Sequence, residues 1–228
     1  MSDGGPEASR FARLRLVPGV GAAGLQLLRA ARVHVVGAGA MGGPALLYLA
    51  QAGVGTLFVD DGEDVDAGGA GAWLYDPQQA GRPRLFAAAE VLGRASRFTR
   101  IRGYASDAAP TATLVCAQRE PVARAASERA RLAGLAHVVA FGDGEGGGVV
   151  TIPSGAPCIR CAVEPGARFP LRPAAAAALG TLAAVELLLV VARLLPGKGA
   201  GRRTDLLDGW PSTRPTARRP GCDCHVVY

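Results

Sequence analysis

The sequence predicts an α/β fold: an open, mainly parallel sheet flanked by helices, with an N-terminal helical segment and a C-terminal mixed-sheet part. Three observations predict it. Residues 33–61 read as strand, glycine-rich turn, helix, strand and acid in unbroken succession. Strand-like and helix-like segments go on alternating as far as residue 141, the pattern of a parallel sheet with crossover helices. The chain has 228 residues, 49% hydrophobic and 19% charged, enough to bury a sizeable core and too apolar for a coiled coil or a disordered chain.

The elements follow in order. Residues 9–31 read as helical, broken at Pro18-Gly19 and at Gly21. Val33-His34-Val35-Val36 is a short apolar run ending at Gly37, as expected of a buried parallel strand. Pro44–Ala52 reads as a helix that Gly53 or Gly55 ends, and Thr56–Val59 is the next strand, closing on Asp60-Asp61. Residues 64–81 are rich in Gly and Ala and read as loop. Helices are expected over Arg84–Arg94 and Glu120–Leu135, with strands at Phe98–Gly103, Thr113–Ala117 and Ala136–Phe141. The glycine-dense stretch 142–148 before Val149–Ile152 predicts a hairpin. His34 reads as a hydrogen-bonded core residue, and His137, Trp73, Trp210 and Tyr48 carry no site assignment.

The formal charge is +6, from 25 basic and 19 acidic residues, and Lys198 is the only lysine. Short arginine groups such as Arg202/Arg203 and Arg218/Arg219 have no aromatics interleaved with them. A stacking platform for nucleic acid is therefore not expected, and these groups read as solvated faces. Residues 1–8 are small, polar and acidic and lack the basic and apolar regions of a signal peptide, so a cytoplasmic protein is expected. The run from Pro173 to Pro196 is long enough to cross a bilayer. Glu186 near its centre costs about 2.5–3.5 kcal/mol on insertion scales, so a buried core helix is expected and no membrane partner.

Two patterns carry chemistry. In Gly37-Ala-Gly39-Ala-Met-Gly42 the first glycine permits a tight turn, the second admits a phosphate to the backbone, and the third lets helix and strand pack closely. A phosphate then meets the helix N-terminus, and Asp60 and Asp61 stand where an acid would meet ribose hydroxyls. The second pattern is a pair of cysteine doublets, Cys158-x-x-Cys161 and Cys222-x-Cys224, the latter followed by His225. Two separated doublets suit one tetrahedral structural Zn²⁺, through four thiolates or through three and His225. Unmetallated thiols and a Cys158/Cys161 redox pair are the alternatives. Cys116, outside both doublets, reads as a small buried hydrophobe.

Arg10-Phe-Ala-Arg13, RVHVVGAGAMGG, LAQAGVGTLFVDD, FGDGEGGGVVTI, PCIRC, GTLAAVELL and LLDGW with PGCDC occur in that order. This ordered set, over roughly residues 9–225, resembles the ThiF/MoeB family of ubiquitin-activating-enzyme-like adenylyltransferases. The resemblance implies a Rossmann-like nucleotide-binding domain over residues 9–228, with a nucleotide half of about 30–140 and a hairpin, zinc and long-helix half of about 141–228; residues 1–8, before it, are expected to be disordered. It implies ATP with Mg²⁺ as cofactor and adenylation of the C-terminal carboxylate of a ubiquitin-like sulfur carrier or peptide. It also implies a homodimer, in which Arg13 reaches the partner's nucleotide.

The chain departs from that family's catalytic set. Gly69 and Ala72 stand where an Asn and an Arg serve the triphosphate. Arg84 stands at the family's lysine, keeping the charge. Arg119 stands at the Mg²⁺-binding acid, with Glu120 one place along. The crossover between Cys161 and Gly180 holds no cysteine to make a persulfide or thioester. Arg84 and Glu120 are thus the candidate catalytic residues, and Gly37, Gly39, Gly42, Asp60, Asp61 and Arg13 the nucleotide-binding ones. The alternatives are a catalytically degenerate scaffold that binds a nucleotide or partner in a biosynthetic pathway and, last, a nicotinamide oxidoreductase.

Overall fold

The structure is a computed structural model that describes residues 9–67, 74–142, 147–154, 157–163, 172–195, 201–207 and 210–224. The chain opens with two helices, α1 (Ala12–Arg15) and α2 (Gly21–Ala30). The alternating part is β1 (Arg32–Val36), α3 (Gly42–Gln51), β2 (Thr56–Asp60), α4 (Arg84–Ala95), β3 (Arg100–Gly103), β4 (Ala112–Val115), α5 (Glu120–Leu132) and β5 (His137–Gly142). Then come β6 (Gly147–Ile152), α6 (Ile159–Ala162), α7 (Pro173–Val191), β7 (Gly201–Leu207) and β8 (Trp210–Thr216). The strands form one eight-stranded sheet in the order β3-β2-β1-β4-β5-β6-β7-β8. The first five are parallel, and β6, β7 and β8 are antiparallel to their neighbours.

Period-two alternation sorts the strand side chains between two cores. Val33, Val35, Leu57, Val59, Leu114, Val138, Ala140 and Val149 face a core shared with α3, α4 and α7. Val36, Val115, Val139, Phe141, Val150 and Ile152 face a second core under α5 and α6. Helices α3 and α4 cover one face and α5 the other, as a doubly wound sheet requires. The glycine turn lies at the C-terminal end of β1, beside the ends of β2 and β4, where such sheets bind ligands.

α7 is the long apolar run read from the sequence, long and apolar enough by composition to cross a membrane. Here it lies on the sheet. Glu186 is buried within it, takes a two-pronged contact from Arg202 on β7 at 2.7 and 2.8 Å, and accepts the Thr151 hydroxyl at 2.7 Å. The reading of Arg202 and Arg203 as a solvated face is therefore corrected. β7 points Arg202 at Glu186 and Arg203 at Asp205, with the Arg203 guanidinium 4.7 Å from the centre of the Phe141 ring. Sequence spacing showed the cluster and not the acids that β7 and α7 bring to it. In the stretch read as loop, Pro77–Gln79 forms a short 3₁₀ turn under an Asp76 cap. The expected disordered segment 1–8 lies outside the described residues.

Candidate functional site

The glycine turn is held by three neighbours. Gly37 has φ +90°, and a Cβ there would stand 2.8 Å from the Cys116 carbonyl oxygen. A Cβ on Gly42 would stand 1.9 Å from the Gly37 carbonyl oxygen, so the turn folds on itself only with glycine there. Asp61 spans the turn: one carboxylate oxygen accepts the Ala38 N–H at 2.6 Å and the other the Glu63 N–H at 2.8 Å. Tyr75 donates its hydroxyl to the Ala38 carbonyl at 2.7 Å. Burial, then the nearby Asp61 charge, raises the Tyr75 phenol far above its ordinary value, so it remains a donor. The sequence reading missed Tyr75, which follows a stretch read as plain loop.

A cavity of about 310 Å³ opens over the turn. Gly37 and Gly39 line it from the turn, Asp60, Asp61 and Glu63 from the end of β2, and Arg84 from the start of α4. Cys116, Arg119 and Arg129 complete its basic and far sides. A Cβ on Gly39 would approach the Arg84 guanidinium to 3.3 Å, so the bare glycine leaves that cation room. Arg84 bonds Glu63 at 2.6 Å and Asp61 at 3.5 Å. Its desolvation is outweighed by these carboxylates, which raise its pKa and keep it charged. Asp60 accepts from the His34 ring at 3.0 Å, and Arg129 stands 4.0 Å away. The His34 hydrogen bond is the main cause holding the Asp60 carboxyl below its ordinary value, against its partial burial.

The structure thus brings Gly37, Gly39, Asp60, Asp61 and Arg84 to one cavity, with Gly42 closing the turn beneath it. Arg119 lines the same cavity and is exposed. Glu120 is not among the lining residues; it starts α5 and pairs with Arg124 one turn along, at 2.5 Å. Arg13 is exposed on α1 and does not line the cavity. Cys116 is buried and its thiol is pushed up to about 12 by that burial, as suits an inert side chain. Gly69, Ala72 and Trp73 lie outside the described residues. What these groups can do together is hold an anion: three guanidiniums ring a glycine turn at a helix N-terminus.

The second cluster is at the far end of the sheet. The Sγ atoms of Cys158, Cys161, Cys222 and Cys224 lie within 4.8 Å of one another. Three of the pairs, 158–161, 158–222 and 161–224, are 3.9, 3.7 and 3.7 Å apart. A tetrahedron with metal–sulfur bonds near 2.3 Å has edges of about 3.8 Å, so the group could hold one metal ion. Burial pushes the Cys161 thiol up to about 12, while at Cys222 hydrogen bonds from the Cys224 backbone and the neighbouring thiols overcome burial and lower it to about 7. Cys224 supplies the fourth sulfur; His225 lies outside the described residues. Arg131 donates to the Cys224 carbonyl, and the Arg219 N–H donates to Cys161 Sγ at 3.3 Å, both suited to a thiolate-rich site.

Similarity to known proteins follows the same lines. A 60-residue stretch is 55% identical to the adenylyltransferase and sulfurtransferase uba4 of Neosartorya fischeri, covering 26% of this chain and 12% of that protein. The corresponding figure for the probable adenylyltransferase/sulfurtransferase MoeZ of Mycobacterium tuberculosis is 48% over 60 residues, or 15% of that protein. The matched stretch is thus a small part of either relative. Among solved structures, E. coli MccB with ATP superimposes with a TM-score of 0.79 at 14% identity, over 99% of this chain and 75% of that one. PaaA superimposes with a TM-score of 0.66 at 16% identity, over 94% of this chain and 75% of that one. At such identities the likeness is one of fold. The family model described as the ThiF family matches residues 11–224, nearly the whole chain. With that sheet order, glycine turn and cysteine cluster, this chain belongs to the ThiF family.

Proposed function

We propose that the chain binds ATP in the cavity over the glycine turn and adenylates the C-terminal carboxylate of a ubiquitin-like sulfur carrier or peptide. The observation that carries this reading is the set Ala38–Asp61–Arg84 at the cavity, in which the acid accepts from the glycine turn and pairs with the cation beside a helix N-terminus. The relatives named as adenylyltransferases support it, as does MccB, solved with ATP and in complex with N-formylated MccA. In this chemistry a carboxylate oxygen attacks the α-phosphorus, the bond to the β-phosphate breaks, and pyrophosphate leaves. Charge accumulates on the phosphates, so positioned cations are the protein's main contribution.

Each residue then has a role. Asp61 keeps the turn open to the phosphates, Asp60 offers its second oxygen to the ribose, and Arg84 and Arg119 meet the phosphate charge. Asp60 and Glu63 line the cavity as candidate Mg²⁺ ligands, and each already has an arginine beside it, Arg129 and Arg84. Glu120 would have to leave Arg124 to join them. The cysteine cluster fits a structural Zn²⁺, which would fasten the C-terminal segment to the α6 region. A homodimer that presents Arg13 to the partner's cavity, in the cytoplasm, completes the reading.

A second reading is favoured by Arg119 itself. A cation where the resemblance places a Mg²⁺ acid suits a protein that binds nucleotide without turning it over. ATP–pyrophosphate exchange with purified protein and Gly-Gly-ended carriers separates the two. Exchange that needs a carrier and is abolished by Arg84→Ala supports the enzyme. ATP binding with no exchange for any carrier supports the scaffold, and no nucleotide binding overturns both.

A further inference from the structure

The opposite end of the sheet carries a second basic cleft, of about 600 Å³, with no part in the reading above. It arises from the topology. The connection between β3 and β4, residues 104–111, contains no helix, while α5 and α6 pack over the core beneath β4, β5 and β6. On that side Arg32, Arg100 and Arg102 are exposed and Thr56 and Phe58 half-buried, while His34 lies buried under Tyr104. Register places Arg32, Thr56 and Arg100 in one row across the three strands and His34, Phe58 and Arg102 in the next. Arg32, Thr56, Phe58, Arg100 and Arg102 line the cleft, and Ala105–Ala109 wall it. The wall is pinned at both ends. Tyr104 donates its N–H to Val59 and stacks on His34 at 3.7 Å, and the Thr111 hydroxyl bonds both backbone groups of Arg32.

The three arginines are exposed, and none carries an ion pair among the described residues. This sets them apart from Arg82, Arg84, Arg131, Arg202 and Arg203, each of which has a carboxylate partner. Asp107 is the one acid among the lining residues. Arg32 and Arg100 stand two strands apart, about 9–10 Å at the backbone, and Arg102 is about 7 Å further along β3. The cations therefore form a triangle with Thr56 on one side and Phe58 beside it, rather than a line along one strand. An extended acidic peptide added at the β3 edge would meet Arg100 and Arg102 and leave Arg32 unmatched. A single phosphate fills little of a cleft of about 600 Å³. A compact ligand with several linked anionic groups can meet all three cations, because each guanidinium fork matches a phosphate or carboxylate face.

We propose that this cleft is a binding site for a compact oligophosphate, held by Arg32, Arg100 and Arg102 and separate from the nucleotide cavity. Arg32, Thr56 and Arg100 are the first residues of their strands, whereas the nucleotide cavity lies past the last ones, so one ligand cannot fill both.

The test is calorimetry of inorganic tripolyphosphate on the full chain carrying Arg84→Ala, which weakens the nucleotide cavity. One molecule per chain is expected to bind. Adding Arg100→Glu and Arg102→Glu is expected to weaken binding on the order of tenfold or more, while Arg100→Lys and Arg102→Lys retain most of it. On the otherwise wild-type chain the Glu pair is expected to leave ATP affinity at the nucleotide cavity and the melting temperature unchanged, while removing any second, weaker ATP bound per chain, which separates this site from the nucleotide reading. Tripolyphosphate binding that ignores the Glu pair, or that disappears with Arg84→Ala alone, overturns the proposal. Displacement of tripolyphosphate by hexaglutamate at lower concentration overturns it in favour of an acidic polypeptide.

Discussion

Asp61 does more than stand at the end of a strand. Both of its oxygens accept backbone N–H groups, one from the glycine turn and one from Glu63, and its side chain is only 6% exposed. Removing it leaves two donors without their acceptor, at about 1–3 kcal/mol each where they are buried. Asp61→Ala is therefore expected to lower the melting temperature and to weaken ATP binding on the order of tenfold. Unchanged calorimetric affinity in the variant would show that the turn holds its shape without the acid. His137 offers a pH prediction. Its Nδ1–H donates to the Leu135 carbonyl, and in the neutral ring its Nε2 accepts the Ser127 hydroxyl. Burial is the main cause lowering its pKa from the ordinary 6.5. The unfolded chain thus binds the proton more readily, so this stability is present above pH 6.5 and is lost as pH falls below it. His137→Asn, uncharged throughout, is expected to flatten the fall in melting temperature from pH 7 to 5. Parallel curves for the two proteins would remove His137 as its source.

At the scale of elements, the glycine turn depends on helix α7, far away in sequence. Gly180 lies against the backbone of Met41, where a Cβ would stand 1.9 Å from the carbonyl oxygen. Met41 precedes α3, so the close crossing of α3 and α7 fixes the helix end that faces the cavity. Gly180→Ala is expected to cost about 1–3 kcal/mol through overpacking and to weaken nucleotide binding along with stability. A variant as stable as wild type with full ATP affinity would show that the helices separate without cost. The buried Glu186–Arg202 pair makes a second joint, from α7 to β7. It explains how an acid is tolerated in so apolar a helix: the carboxylate is inside the protein, paired and hydrogen-bonded.

For the whole molecule, the cysteine cluster joins two segments about sixty residues apart in sequence. Purified protein is expected to contain about one equivalent of zinc, whose binding can supply about 10–16 kcal/mol of apparent folding energy. Cys158→Ser should lose the metal and much of the soluble yield. Full thermal stability in metal-free, reduced protein would mean that the thiols pack without an ion. Assembly is checked by sedimentation. The homodimer proposed above predicts a dimer at micromolar concentration, and a strict monomer would remove Arg13 from any nucleotide site.

Much of this was legible because it is local. The strand, glycine turn, helix and acid lie within thirty residues, and period-two and helical patterns locate β1, α3 and β2 to within a residue or two. The cysteine doublets announced their own convergence, since two thiolates at such spacing bind little alone. What the sequence could not decide depends on partners brought from afar. Arg202 and Arg203 read as a solvated pair until α7 and β7 set Glu186 and Asp205 beside them. Glu120 sits one place from a plausible acid position, and the helix it begins turns it to Arg124. Arg32, Arg100 and Arg102, up to seventy residues apart in sequence, gather beside Phe58 because β1, β2 and β3 lie in parallel register. Local pattern determines which element forms and which face is apolar; the long-range crossing of elements alone decides which charges meet.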